Sequence, residues 1–170
     1  MSLVKKILFR FLILIVFSFN FAQAEDLKKI GKFKDWEVIM ISDESNKVCF
    51  AQSKPVLQSP KKSDREARLF VTFRSLEKVT DEVSTTSGYE YNSQNSIIAS
   101  SGKSKYKFDI SQDNFAWIAD QKIERKMIRA MKAGSRIMIT GYNQKGSQTI
   151  DHYSLMGFSK AYNAAKKSCS

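Results

Sequence analysis

The chain has 170 residues, with 28 Lys and Arg against 17 Asp and Glu, for a formal charge of +11. An apolar fraction of 42% excludes wholesale disorder, and the length allows one domain with a real core but not two. A positive field of this size favours anionic partners: lipopolysaccharide, phospholipid headgroups, nucleic acid or acidic polymers.

Residues 1–24 read as a cleaved secretory signal peptide. Lys5, Lys6 and Arg10 lead into an apolar run from Phe11 that ends near Phe21, and Ala22-Gln23-Ala24 places small residues where a signal peptidase cuts. An apolar core of about eleven residues falls short of the roughly 20 that span a bilayer; the rival reading is an uncleaved anchor over 7–24. Cleavage leaves residues 25–170 as one β-rich envelope domain of charge +8, in the periplasm or at the outer membrane, with no transmembrane span. Cys49 and Cys169 are the two cysteines, and in an oxidising compartment they predict a disulfide that closes a loop of about 120 residues.

Residues 25–32 are polar and lysine-rich and read as a loose lead-in. A strand over Phe33–Ile41 places Trp36, Val38 and Met40 on one face, and a second over Val48–Ser53 carries Cys49. Lys54–Glu66 holds both prolines and reads as a long exposed loop. From Ala67 the alternation is strong: Leu69, Val71 and Phe73 face one way, Arg68, Thr72 and Arg74 the other, with Phe70 out of step. A short strand at Glu82–Thr85, a turn at Ser87-Gly88, a hairpin over Ser96–Ser111 turning at Gly102-Lys103, and a short strand at Phe115–Ile118 follow. In the hairpin's second arm Tyr106, Phe108 and Ile110 share a face.

The period then changes. Asp120 can cap and Gly134 can end a helix with Ile123, Met127, Ala130 and Met131 on its core face and Glu124 to the side. Lys122, Arg125, Lys126, Arg129 and Lys132 fall within about 120° on the opposite face. A last hairpin, Arg136–Tyr142 and Gln148–Leu155, precedes a short helix over Phe158–Lys167. Seven to nine short strands and one or two helices predict a mainly β fold: an antiparallel sandwich or open barrel with one packed α-helix and a short C-terminal helix.

Asp151-His152-Tyr153-Ser154 contains the residue types of a hydrolase triad, but consecutive strand residues point to opposite faces, so Asp151 cannot orient His152. Ser-x-x-Lys occurs at Ser59, Ser75, Ser100 and Ser104, as often as chance allows in so Ser- and Lys-rich a chain, and its companion Lys-Thr-Gly is absent. No phosphate loop, metal-ligand spacing or cofactor motif is present. Two binding readings remain. The five-cation helix face suits an anionic envelope surface or another envelope protein; nucleic acid fits an exported chain less well. Tyr89, Tyr91 and Trp117 could instead line a small-ligand pocket. An envelope hydrolase would need partners for His152 from other strands.

Several islands resemble one family. They are Phe33-Lys34-Asp35-Trp36, Cys49 with Ala51 to Pro55, Glu82-Val83-Ser84 before Gly88-Tyr89, Ala116-Trp117, and Ala130 to Gly134. Lys145-Gly146-Ser147 through Tyr153-Ser154-Leu155-Met156-Gly157-Phe158 to Ala161 completes the set. Together they are similar to the invasion-associated locus B proteins over nearly all of 33–169. The resemblance implies an exported, β-rich, disulfide-compatible envelope protein, a family association with host-cell entry, and no catalytic residues. The islands also read as architecture, with Trp36 and Trp117 as large core candidates.

Overall fold

In the computed structural model, residues 26–43, 46–61 and 65–170 are described. The leader and its cleavage point lie outside these residues, as do parts of the 42–47 turn and of the proline-containing loop. The strands are β1 (Asp26–Phe33), β2 (Trp36–Ser42), β3 (Lys47–Ser53), β4 (Leu57–Ser59), β5 (Arg68–Arg74) and β6 (Val79–Thr86). They continue as β7 (Ile97–Ser101), β8 (Ser104–Phe108), β9 (Ile110–Gln112), β10 (Phe115–Trp117), β11 (Arg136–Tyr142) and β12 (Gln148–Ser154). Helix α1 (Gln121–Ala133) lies between β10 and β11, and α2 (Phe158–Ser168) ends the fold. One antiparallel sheet has seven strands in the order β1-β2-β3-β5-β6-β10-β9, and a second has five, β4-β12-β11-β7-β8. The fold is thus mainly β, with a packed helix and a C-terminal helix.

Five strands of the seven-stranded sheet, β2, β3, β5, β6 and β10, turn alternate residues inward: Trp36 and Val38, Cys49 and Ala51, Leu69, Val71 and Phe73, Val83 and Thr85, Ala116. Ile97, Ala99, Tyr106, Phe108, Ile137, Ile139 and Tyr153 come from the five-stranded sheet into the same core. The Trp36 indole packs at a tilt against Phe158, ring centres 4.8 Å apart, and its Nε1 donates to the Ser154 carbonyl at 2.9 Å, so a large apolar body and its polar tip are both satisfied. Tyr162 packs edge-on against Phe73 at 5.4 Å. Where β12 turns into α2, Gly157 has φ +90, and a Cβ there would collide with the Phe33 carbonyl oxygen, so the corner requires glycine twice over. The end of α2 is tied to β3 by the Cys49–Cys169 disulfide, with Cα atoms 5.7 Å apart.

Four sequence expectations need correction. Within the expected loose lead-in over 25–32, the described residues 26–32 are ordered: Asp26–Phe33 forms β1, paired along β2. As an edge strand it is exposed almost throughout, with only Ile30 and Phe33 against the core, so the alternation that marks a half-buried strand is missing. The proline-containing loop includes β4, which pairs with β12. Ile110 does not share the fate of Tyr106 and Phe108, because the chain changes sheets at Asp109: β8 belongs to the smaller sheet, β9 to the larger, and Ile110 is exposed. Trp117 is not a core residue; it lies half-buried on the outer face of the larger sheet, while its neighbour Ala116 points inward.

Candidate functional site

Helix α1 is capped as its sequence directs. The Asp120 side chain accepts from the Lys122 N–H at 2.6 Å, and the Gly134 N–H donates to the Ala130 carbonyl at 2.8 Å. Its buried residues are Glu124, Met127, Ile128 and Met131, at i, i+3, i+4 and i+7, with Ile123 and Ala130 only partly buried. Glu124 is therefore at the centre of the inward face and not to its side. Its carboxylate accepts the Val83 backbone N–H at 2.8 Å, tying the helix to β6. Burial lifts the Glu124 pKa; the Val83 hydrogen bond opposes this, Glu82 and Asp81 add to it, and the result is pushed up to about 7.

With that inward face held, Lys122, Arg125, Lys126, Arg129 and Lys132 are all exposed, and none forms an ion pair among the described residues. Lys132 differs from the other four. Its Nζ sits 3.5 Å over the Tyr162 ring, whose hydroxyl donates to Asp81. Burial lowers the Lys132 pKa, Asp81 raises it, and nearby Lys166 of α2 lowers it again, leaving it below the ordinary lysine value. The cationic face thus continues from α1 onto α2 at Lys166, and Lys132 pins the two helices together at the junction.

The aromatic trio is not assembled. Tyr89 and Tyr91 meet edge-to-face at 5.4 Å, but they fill the interior: the Tyr89 hydroxyl bonds Thr149 at 2.6 Å and Tyr91 donates to Ser87 at 3.0 Å. Gly141 lies against both rings with no room for a Cβ. Burial raises the pKa of each phenol, so both remain neutral donors. Trp117 stacks instead on Phe115 and borders an open cleft of about 550 Å³ with Arg74, Glu82, Ile110 and Glu124.

Beside the tyrosines is a cluster that sequence reasoning missed. Arg65 grips Asp151 with two bonds, 2.6 and 3.0 Å, donates to the Ser87 carbonyl at 2.9 Å, and lies 5.7 Å from the Tyr89 ring centre. Gln58 adds a contact to Asp151 and another to the Arg65 carbonyl. Burial pulls the Arg65 pKa down, but the bonds and field of Asp151 outweigh it and hold it above the ordinary value. Asp151 is fully buried and therefore committed to structure. The signal available in sequence was its inward parity on β12, opposite to His152 and shared with Tyr153 and Thr149. His152 lies on the other face between Leu57 and Met138, and its Nδ1 is buried with no hydrogen-bond partner among the described residues. The orienting bond that a triad histidine needs at this atom is not made. No cluster of His, Cys, Asp and Glu among the described residues could hold a metal ion.

The model of the invasion associated locus B (IalB) protein family matches residues 36–166. The chain belongs to this family. The crystal structure of invasion associated protein B from Bartonella henselae superposes with a TM-score of 0.55 at 13% identity, covering 82% of this chain and 96% of that one. At that identity the likeness is one of fold. No curated protein matches the chain. The family match begins at Trp36 and includes α1, β12 and the Gly157 corner, so the IalB pattern takes in the framework that holds the cationic face. Among the described residues no helix is long and apolar enough to cross a membrane.

Proposed function

We propose that this IalB protein is exported, remains in the bacterial envelope and acts by binding, with the α1 face docking on an anionic envelope surface. One observation carries the reading: five cations stand exposed on a helix whose opposite face is fixed by Glu124, Met127, Ile128 and Met131, and none is neutralised by an ion pair among the described residues. A cation that serves the fold is paired, as Arg65 and Arg74 are, or held on a ring, as Lys132 is on Tyr162; the other four are left to the solvent and the ions in it. Binding is favoured over catalysis because His152, the one histidine of the chain, has no hydrogen-bond partner at Nδ1 among the described residues to orient it. A small-ligand role loses its pocket because Tyr89 and Tyr91 are bonded to their own interior.

The test is the triple variant K122E/K126E/R129E, mixed with vesicles of phosphatidylglycerol and phosphatidylcholine. The native protein should bind, binding should fall as salt is raised from about 50 to about 500 mM, and the variant should not bind, because such attraction is screened within a Debye length of roughly 10 Å at 0.1 M salt. Equal, salt-insensitive binding by both proteins would refute the reading.

A further inference from the structure

The outer face of the seven-stranded sheet carries the longest run of ring contacts on any surface among the described residues. Phe50 of β3, Phe70 of β5, and Phe115 and Trp117 of β10 form a continuous ladder with ring centres 5.9, 6.1 and 5.9 Å apart. Strand register extends it outward: Ile39 is opposite Phe50, Ile41 opposite Val48, Leu27 opposite Ile41, and Ile110 opposite Trp117. Leu27, Ile110 and Phe115 are 63, 48 and 39% exposed. Both helices lie on the other side of this sheet, α1 bonded to it through Val83 and α2 packed on Trp36 and Phe73, so no described element covers the ladder. A contiguous apolar patch of this kind on a soluble domain marks an interaction site.

Two properties of the face identify its occupant. The first is charge. The outward charges of β1, β2, β5 and β6 are Lys29, Lys32, Glu37, Arg68, Arg74 and Glu82, and all but Lys32, which is opposite Glu37 in register, are in ion pairs: Lys29–Glu37 at 3.0 Å, Arg68–Glu66 at 2.8 Å and Arg74–Glu82 at 2.6 Å. On a chain of formal charge +11 this face is close to neutral, with one unpaired cation, Lys32, at its β1 edge. It therefore offers little to a polyanion, and it can meet an identical face without repulsion, as a two-fold interface requires. The second is area. Seven strands about 4.8 Å apart, most about seven residues long, give a footprint of about 600 Å² per copy and about 1,200 Å² for a pair, above the roughly 1,000 Å² that separates specific interfaces from casual contacts. Ring planes inclined at 70° and 42° along Phe50, Phe70 and Phe115, with only Phe115 and Trp117 stacked at 29°, suit interdigitation with other side chains better than one flat platform.

We propose that this face is the interface of a symmetric dimer, two copies packing sheet on sheet through the Phe50–Phe70–Phe115–Trp117 ladder. The pairing resembles the aligned packing of a β-sandwich, with the two sheets about 10 Å apart. It leaves both α1 stripes free, because they lie across the sheet from the interface.

Sedimentation equilibrium of the purified exported product decides the matter. The native protein should be a dimer at micromolar concentration, with its dissociation constant changing less than about threefold between low and high salt, since an apolar, nearly neutral contact is little screened. I110D/F115D should weaken the dimer at least about 30-fold, because it puts two charges into the apolar contact and removes an aromatic anchor. Both positions are exposed, and an unchanged urea midpoint establishes that the variant folds; L27D provides a second, independent lesion at the far edge. A protein that stays monomeric at about 100 μM, whatever else it binds, would overturn the proposal. So would a dimer untouched by both variants, or one that dissolves in salt.

Discussion

Asp151 and Glu124 are both carboxylates removed from water, and the protein treats them oppositely. Asp151 receives a guanidinium through two bonds and a glutamine amide besides, so its charge is matched where it lies. Glu124 receives one backbone N–H, faces Glu82 and Asp81 across the gap, and is pushed up to about 7. The first is a permanent cross-link between β12 and the segment that enters β5. The second is a tether that changes protonation near neutrality, placed beneath the cationic stripe. The difference teaches that burial alone does not fix the behaviour of a charge; the partner supplied with it does.

The largest expected effect comes from breaking the matched pair. D151A strands the Arg65 guanidinium, and urea denaturation should show a loss of about 3–5 kcal/mol, the usual result of removing one member of a buried pair. R65M/D151L should recover most of that loss, since an apolar pair of similar volume avoids the desolvation of both ions. Failure of the double variant to recover would locate the loss in the contacts of Arg65 with Ser87 and Tyr89.

A smaller effect is expected at Glu124, and its sign is fixed. Its folded pKa of about 7 lies above the ordinary 4.5, so folding favours the protonated form. The stabilisation from this group is fully present below pH about 4.5, is lost as pH rises towards about 7, and is level beyond. The slope in that window cannot exceed about 1.4 kcal/mol per pH unit for one proton. E124Q should remove this component of the slope, seen in urea midpoints at about pH 5 and about pH 8, and keep α1 in place by hydrogen bonding to Val83. The smallest effect belongs to the outer face of the same helix. K122E/K126E/R129E, which should abolish vesicle binding, should change stability by no more than about 0.5 kcal/mol per site, because none of the three is in an ion pair among the described residues.

Much of α1 was legible from its residues. Asp120 and Gly134 mark its ends, and the five cations emerge on one exposed face. The position of Glu124 was legible too: Met127, Ile128 and Met131 follow it at i+3, i+4 and i+7, but a charged residue at the centre of an apolar stripe is discounted by habit. Cys49 and Cys169 were paired from their number and expected compartment, and they are bonded. The aromatic trio is not assembled because Tyr89 lies in the bend after β6 and packs on Tyr91 and Thr149, whereas Trp117 lies on β10 beside Phe115. Phe70, out of step with Leu69 and Val71, is a local sign of a second apolar face, as are Ile39 and Phe50 between inward residues of β2 and β3.

By itself the sequence determined what depends on neighbours along the chain: strand parity, helix period, caps and turns, because these repeat every two to four residues and need no distant partner. Tertiary structure alone decided which sheet each strand joins, that β9 leaves the sheet of β8, that Arg65 reaches Asp151 across 86 positions, and that rings from β3, β5 and β10 line up into one face. Those outcomes depend on strand order and on contacts between residues far apart in the chain. Two residues with the same local pattern can therefore end up on opposite sides of a sheet.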